Sequence, residues 1–186
     1  MERLDIDNGK KNILYAPTFR DYDLDKEVIS VPIKKLSKLN NYNIIVRLHP
    51  LVREKVDKSM FKLDNFINGC NYPDVNDILL VTDILITDYS SVFYEYMPLN
   101  LPIIFYPYDY DNYVALRGGF YVDYKNELPG PICYDENELL EVIKNINKIY
   151  VQYDNKRKKY ANKYNRLSDG KASERFVNFL LNGRFK

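Results

Sequence analysis

The stretch Asp83-Ile-Leu-Ile-Thr-Asp-Tyr-Ser-Ser-Val-Phe-Tyr-Glu95 decides the fold. Its first half is a short apolar run that predicts a buried strand, and helical character resumes from Ser90 to Tyr96. A strand that is apolar on both sides and leads straight into a helix is typical of a parallel sheet covered by helices on both faces. The turn between them carries two hydroxyl side chains, Ser90 and Ser91, at the start of the helix.

Other apolar runs along the chain predict further strands of the same kind. These strands are expected over 12–16, 43–48, 62–67 and 101–106. Because helical segments alternate with them, the sequence predicts a Rossmann-like parallel sheet with helices on both faces over residues 12–186. Residues 1–11 are expected to be a linker.

Helical spacing of apolar residues fills the segments between the strands. Ser30 is placed to cap a helix over 31–40, and Asp74 and Asp135 are placed to cap two more. The helix after Asp135 is expected to present one apolar face as far as Tyr150. In the last amphipathic helix, the residues expected to face inward are Ala172, Phe176, Phe179 and Leu180.

The composition is that of one ordinary globular domain. Apolar residues make up 46% of the 186, and 27 basic against 26 acidic residues leave a net charge of +1. That balance argues against nucleic acid as a partner, so an anion must be bound by a local arrangement. Cys70 and Cys133 are too few for a disulfide framework or a zinc site and are expected to be reduced thiols of a cytosolic protein.

The chain shows no apolar leader of the signal-peptide type, and its most apolar window, 78–86, is too short to cross a bilayer. The basic run 156–159 is typical of a solvated helix face, with contact to a membrane surface as the alternative.

Ligands of a parallel sheet bind beyond the carboxyl ends of its strands, which selects four junctions. These are Thr18-Phe19-Arg20, His49-Pro50, the turn from Asp88 to Ser91, and Pro107 to Tyr113. A helix that begins at Ser90 would aim unpaired amides at an anion, and the two serine hydroxyls would add donors. The alternative is that Ser90 is only an N-cap, worth about 1 kcal/mol.

The other candidates at this edge are one histidine and three arginines. His49, the sole histidine, is either structural or a hydrogen-bond donor to a phosphate oxygen that stabilises charge on a leaving group. Arg117, beside two glycines, has the forked geometry that suits a pyrophosphate, and Arg20 and Arg47 are weaker candidates of the same kind. Arg47 lies within a strand, so a paired structural role is its alternative.

The motifs of several other enzyme classes are absent. The sequence has no G-x-G-x-x-G after a strand and no P-loop lysine, which argues against a dinucleotide oxidoreductase or an NTPase. No carboxylate pair stands out as a metal site. We therefore expect no essential metal and no cofactor in this chain.

An ordered set of short motifs resembles the carboxyl-terminal domain of the CDP-glycerol glycerophosphotransferase family, whose members make teichoic-acid-type polymers. The motifs are Ile13-Leu-Tyr-Ala-Pro-Thr-Phe-Arg20, Arg47-Leu-His-Pro50, Thr87-Asp-Tyr-Ser-Ser91, Pro102-Ile-Ile-Phe-Tyr106, Arg117-Gly-Gly-Phe-Tyr121, Leu128-Pro-Gly-Pro131 and Asp169-Gly-Lys-Ala-Ser173. Each is weak by itself, but together and in order they cover nearly the whole chain. One departure is that Gly118-Gly119 replaces the family's usual single glycine.

The resemblance implies one half of a GT-B-type enzyme, with the active site between two Rossmann-like domains. It implies that this half holds a CDP-linked polyol such as CDP-glycerol. His49 would be the catalytic residue near the donor phosphates. The donor phosphates would be bound by Ser90, Ser91, Arg117 and Arg20, and the nucleoside by Glu95, Tyr72 and Asp77.

The resemblance also implies an amino-terminal domain that supplies a general base and the acceptor groove for the polymer. We expect the chain by itself to bind the donor but to have little or no transferase activity. The full enzyme is expected in the cytoplasm at the inner face of the membrane, with peripheral membrane contact. The alternatives are a GT-B domain that uses a UDP-sugar and a non-catalytic module that binds a partner or a membrane surface.

Overall fold

The computed structural model describes residues 4–20, 31–55 and 58–183. The strands are β1 (Lys11–Tyr15), β2 (Tyr42–Val46), β3 (Phe66–Asn68), β4 (Ile84–Thr87) and β5 (Ile103–Phe105). They form one sheet in the order β3-β2-β1-β4-β5, and every pair is parallel. The chain builds outward from β1 to β3 and then returns to the other side of β1, which confirms the predicted Rossmann-like sheet.

Helices cover both faces of the sheet. They are α1 (Ile33–Leu36), α2 (Val75–Val81), α3 (Val92–Tyr96), α4 (Tyr110–Arg117), α5 (Tyr124–Glu127), α6 (Glu136–Lys144), α7 (Ile146–Gln152), α8 (Asp154–Tyr164) and α9 (Ala172–Asn182). Successive residues of β1 point to opposite sides, so Ile13 joins one core with α1 and α6 while Leu14 joins the other with α2, α3 and α8. Burial on both faces explains why the strand sequences are continuously apolar.

Two of the predicted caps are confirmed. The Asp74 carboxylate accepts a hydrogen bond from the amide of Asn76 at 2.8 Å. The Asp135 carboxylate accepts from the amides of Asn137 at 2.6 Å and Glu138 at 3.0 Å. Ser30, the third predicted cap, lies outside the described residues.

Several predicted boundaries are wrong. The helix expected over 31–40 is α1 alone, because beyond Ser37 the amides bond carbonyls three residues back, in tighter turns. The strand expected over 62–67 is shorter and later, as β3. The helix expected from Asp135 to Tyr150 divides into α6 and α7 at Asn145, whose side-chain amide donates to the Glu141 carbonyl at 2.9 Å and so competes with the helical pattern.

The prediction that the apolar side chains of α9 face inward is wrong in this chain. Phe176 is 56% exposed, Phe179 37% and Leu180 65%. No residue of α9 is buried, because the helix lies at the edge of the described structure and packs only lightly on it. An amphipathic helix with its apolar side in solvent marks a surface suited to another partner.

Arg157 departs from the expected solvated helix face, because its side chain is buried. Its Nη1 donates to the Tyr150 carbonyl at 2.8 Å, and its Nε donates to Asn100 Oδ1 at 3.2 Å. The guanidinium also lies 4.1 Å from the centre of the Tyr150 ring. Arg157 therefore fastens α8 to α7 and to the turn after α3, while Lys158 pairs with Asp154 at the surface.

The stretch expected to be a linker is packed where it is described. Leu4 is buried in the core that contains Leu14, and the Asn43 side chain donates to the Asp7 carbonyl at 2.9 Å. Both cysteines are buried and free. Burial, reinforced by the charges of Glu138 and Asp135, raises the pKa of the Cys133 thiol to about 12.

Substitution of Gly130 tests how closely the backbone at this residue approaches β5. A Cβ at Gly130 would lie 2.0 Å from the Ile103 carbonyl oxygen, closer than any real contact allows. We expect Gly130→Ala to lower the free energy of unfolding by about 3 kcal/mol or more, as backbone must move to admit it. Urea unfolding measures the loss.

Gly118→Ala is the matched control for Gly130→Ala. Nothing lies within 4 Å of a Cβ at Gly118, and its φ of 75° costs an alanine only the left-handed strain. That strain is about 1–2 kcal/mol. Equal losses in the two variants would contradict the close approach of Gly130 to β5.

Candidate functional site

A cavity of about 510 Å³ opens at the carboxyl edge of the sheet. It is lined by the segments that follow three adjacent strands, together with one residue of α2 and two residues of α3. The lining residues are Ala16, Pro17, Thr18, Phe19, Arg47, Leu48, His49, Pro50, Val75, Tyr89, Ser90, Ser91, Val92 and Glu95. Three of the four junctions selected from the sequence therefore meet in one place.

Backbone pairing continues past the strands and brings these segments together. The Ala16 amide donates to the Ile86 carbonyl at 2.9 Å, and the Arg47 amide donates to the Tyr15 carbonyl at 2.9 Å. The buried Thr87 hydroxyl donates to the Ala16 carbonyl at 2.8 Å. The walls of the cavity are thus direct extensions of β1, β2 and β4.

Ser90 and Ser91 have different local roles. The Ser90 hydroxyl accepts from the Val92 amide at 3.3 Å, which is the capping role that the sequence offered as the alternative. Ser91 occupies the N-cap position of α3, but its side chain makes no capping hydrogen bond. Both residues line the cavity. The Ser90 hydroxyl therefore bonds the start of α3, while the side chain of the exposed Ser91 lies at the cavity.

The sequence analysis included Asp88 in the turn from Asp88 to Ser91 but gave it no role of its own. Its side chain is almost completely buried, and Oδ1 accepts from the amides of Thr18 at 2.7 Å and Tyr89 at 2.6 Å. Because Thr18 follows β1 and Tyr89 follows β4, the carboxylate joins two walls of the cavity. The signal was available: a charged residue directly after a buried strand needs a partner.

Arg20 is placed differently from the expectation that it contacts donor phosphates. Its Nη2 donates to Asp88 Oδ2 at 2.8 Å, and its Nε donates to Asp109 Oδ2 at 2.7 Å. Nη1 donates to the Thr18 carbonyl at 2.5 Å. We call Arg20, Asp88 and Asp109 the Arg20 triad. Direct contact between Arg20 and a phosphate stays a prediction, and the contacts shown hold protein groups instead.

The carboxylate charges of the triad raise the pKa of Arg20 and of the neighbouring Tyr89. Burial by itself lowers the pKa of Arg20, but the hydrogen bond to Asp109 and the charge of Asp88 outweigh it and hold the pKa above its ordinary value. Tyr89, whose hydroxyl donates to Asp109 Oδ1 at 3.1 Å, has its pKa raised by burial and by that negative charge. Arg20 is therefore a permanent cation, and Tyr89 is a neutral donor.

His49 lies where the sequence predicted, at the cavity. Its ring stacks on Phe19, with 4.4 Å between ring centres and 29° between planes. Nδ1 accepts from the Leu51 amide at 3.3 Å. In the neutral imidazole this bond leaves the proton on Nε2, so Nε2 is the nitrogen able to donate to a ligand.

Arg47 contributes more than the sequence suggested. Nη1 donates to the carbonyls of Gly69 at 2.9 Å and Tyr72 at 2.7 Å, while the side chain also lines the cavity. The structural alternative is thus part of its role. Partial burial lowers the pKa of Arg47, but a guanidinium stays charged in proteins. A cation held at a fixed position faces the cavity.

The remaining predicted residues are dispersed. Glu95 lines the cavity. Arg117 is exposed at the end of α4 and is not one of the lining residues. Tyr72 and Asp77 also lie outside the lining, and the Tyr72 hydroxyl donates to Asp77 at 3.2 Å. Their roles toward a nucleoside, and that of Arg117 toward a phosphate, stay predictions.

Residues 4–20, 31–55 and 58–183 contain neither a metal-binding cluster nor a candidate membrane span. Within those ranges, no three histidine, cysteine or acidic side chains are grouped so that they could hold a metal ion. No helix in the same ranges is both long and apolar enough to span a bilayer.

The doubly wound sheet, with a cavity where its strand order reverses, defines a Rossmann-like domain. A family model, CDP-glycerol:poly(glycerophosphate) glycerophosphotransferase, matches residues 1–182. The chain therefore belongs to that family.

Known relatives agree with the family model. A teichoic acid glycerol-phosphate transferase of Staphylococcus aureus is 38% identical over 187 residues, which cover 96% of this chain and 47% of the relative. A teichoic acid poly(ribitol-phosphate) polymerase of Bacillus spizizenii is 36% identical, with 92% of this chain and 28% of the relative covered. The chain thus spans less than half the length of these relatives.

Solved structures agree as well. The wall teichoic acid polymerase TagF matches with a TM-score of 0.83 and 35% identity, over 95% of this chain and 44% of that one. A TagF variant soaked with CDPG matches with a TM-score of 0.78 and 36% identity, over 95% of this chain and 43% of that one. A putative UDP-N-acetylglucosamine 2-epimerase from Listeria monocytogenes matches with a TM-score of 0.54 and 15% identity. The match covers 94% of this chain and 45% of the epimerase chain, and it shows a shared fold alone.

The geometry of His49 generates a test by nitrogen NMR. We expect the neutral ring to carry its proton on Nε2, because Nδ1 accepts from the Leu51 amide. As the only histidine, its two ring nitrogens give resonances without overlap. Leu51→Pro removes the donor at an exposed position and should raise the Nδ1–H population. A spectrum unchanged by that substitution would contradict the bond.

Proposed function

We propose that this chain is the donor-binding half of a transferase that moves glycerol phosphate, or a related polyol phosphate, from a CDP-linked donor to a growing cell-surface polymer. The observation that carries the proposal is the meeting of His49, Arg47 and the serine pair at one cavity. In a chain of this family, the ligand suited to that set of donors is the diphosphate of a CDP-polyol.

The donor phosphates are proposed to lie between the serine pair and His49. The Ser91 hydroxyl donates to one phosphate, and the Nε2–H of His49 donates to the other. The acceptor hydroxyl attacks the phosphorus that carries the polyol, the bond to the bridging oxygen breaks, and CMP leaves. His49 stabilises the charge that develops on CMP in that step.

Arg47 is proposed to contribute a fixed positive charge to the diphosphate. Because its Nη1 is held by two backbone carbonyls, the side chain is ordered before the ligand arrives, and less entropy is lost on binding. The same bonds fix the loop 69–72, on the side of the cavity where the nucleoside-binding residues Tyr72 and Asp77 are predicted.

A second domain is proposed to complete the active site with a general base and an acceptor groove. Direct transfer needs a base on the acceptor hydroxyl, and the residues that line the cavity offer mainly donors toward the phosphates. The exposed apolar side of α9 is the surface we propose for contact with that domain. The full enzyme is proposed to act at the cytoplasmic face of the membrane, beside a lipid-linked acceptor.

Titration calorimetry tests donor binding. We expect CDP-glycerol to bind, and we expect His49→Ala and Ser91→Ala each to raise Kd about tenfold, the effect of one hydrogen bond to a charged group. Ser168→Ala, an exposed serine remote from the cavity, is the matched control and should leave Kd unchanged.

Competing ligands decide the donor class in the same experiment. CDP-ribitol measures the choice of polyol, and UDP-glucose measures the choice of base. No heat with CDP-glycerol in the wild type, or tighter binding of UDP-glucose, would overturn the proposed donor.

Release of CMP tests the need for a second domain. We expect the 186-residue chain, given CDP-glycerol and a glycerol-phosphate acceptor, to release CMP no faster than buffer, because the acceptor hydroxyl has no base beside it. Chromatographic detection of CMP measures the rate. Acceptor-dependent release by this chain would show that one domain is enough.

A further inference from the structure

The Arg20 triad lies under the cavity, and the hydrogen bonds of its side chains are made to protein groups. Arg20 and Asp88 have side chains 5% and 1% exposed. The guanidinium of Arg20 also lies 4.9 Å from the centre of the Tyr89 ring. Ordering and burying three charged side chains costs free energy, which is offset only by dense hydrogen bonding of the kind seen here.

The net charge of the triad decides between two roles for Arg20. One guanidinium and two carboxylates leave the cluster one charge negative. Such a cluster does not attract a diphosphate, so electrostatic binding of the donor by Arg20 is a poor explanation of its burial. Positioning of neighbouring groups explains it better.

The triad controls the position of both walls through Asp88. Asp88 Oδ1 accepts from the amides of Thr18 and Tyr89, while Nη1 of Arg20 donates to the Thr18 carbonyl. From the far side, the Tyr124 hydroxyl donates to the backbone carbonyl of Asp88 at 3.0 Å. Both polar backbone groups of Thr18 are therefore held by the triad.

The side chain of Thr18 gains no hydrogen bond from this arrangement. It lines the cavity, and its hydroxyl Oγ1 is buried without a hydrogen-bond partner among the described residues. A buried hydroxyl without a partner lowers stability by about 1–3 kcal/mol. A cost of that kind is characteristic of a group kept for a ligand.

We propose that Thr18 is a further donor-binding residue, whose hydroxyl bonds a phosphate oxygen, and that the Arg20 triad is the positioning unit that holds it opposite the serine pair. This inference rests on the proposed donor site and adds to it one contact and its support. A phosphate oxygen at the cavity wall is the acceptor that the Thr18 hydroxyl lacks.

Thr18→Val is the first test, because valine keeps the shape and removes the hydroxyl. We expect Kd for CDP-glycerol to rise about tenfold. The Tm should stay the same or rise, because an unsatisfied hydroxyl is removed. Loss of binding without loss of stability is a combination that a purely structural threonine would not give.

A double-mutant cycle tests the triad. Asp88→Asn and Arg20→Gln should each raise Kd for CDP-glycerol about tenfold. The double variant should raise Kd no more than the larger of the two single effects, because both residues act through one unit. If Arg20 contacted the donor directly, the two losses would multiply. Arg157→Gln, a buried and ion-paired arginine outside the cavity lining, is the matched control: it should lower Tm and leave Kd unchanged.

The outcomes separate this inference from the proposed function. No binding of CDP-glycerol by the wild type would overturn both. Binding by the wild type with unchanged Kd in folded Thr18→Val would overturn the contact by Thr18. Increases in Kd that multiply in the double variant would overturn the positioning role. A rise in Kd in Arg157→Gln alongside its fall in Tm would overturn it as well.

Discussion

The pairing of β1 with both β2 and β4 is the constraint on which the site depends. A parallel strand with neighbours on both sides places the carboxyl ends of β2 and β4 each one strand spacing, about 5 Å, from the carboxyl end of β1. Residues that are 30 to 70 positions apart in the chain then face one cavity. Because α1, which follows β1, and α3, which follows β4, pack on opposite faces of the sheet, the loops part at this point and leave a cleft.

Near-neutral net charge makes the local arrangement of donors decisive. The chain as a whole offers no field that would attract an anion, and the buried Arg20 is paired with two carboxylates. The polar side chains that line the cavity include the two hydroxyls at the start of α3, the ring of His49, the guanidinium of Arg47 and the carboxylate of Glu95. Preorganised groups of this kind bind charge without much rearrangement, and they do so best where water is scarce.

Much of the fold was predictable because its signal is local. The continuous apolar runs of β1, β2, β4 and β5 and the caps at Asp74 and Asp135 are readable from neighbouring residues alone. Helix ends were less readable, because the break at Asn145 depends on a side chain competing with the backbone. The environment of α9 was not readable at all: its amphipathic pattern is correct, but the pattern cannot say which molecule covers it.

The site was partly predictable for the same reason. His49 and the serine pair follow apolar strands, so the rule about carboxyl ends finds them. The roles of Arg20 and Asp88 depend on a pairing across 68 positions, which no local pattern encodes. Arg117 was predicted from its forked side chain beside two glycines, and it stands outside the cavity lining.

The stacking of Tyr89 on Tyr113, with 3.6 Å between ring centres, gives the molecule an optical property. The sequence has 18 tyrosines and no tryptophan, so its ultraviolet emission comes from phenols undisturbed by indole. Tyr89 lines the cavity and donates to a carboxylate, and both conditions govern how efficiently an excited phenol emits. A ligand in the cavity would lie beside Tyr89, so tyrosine fluorescence is a native reporter of binding that needs no dye.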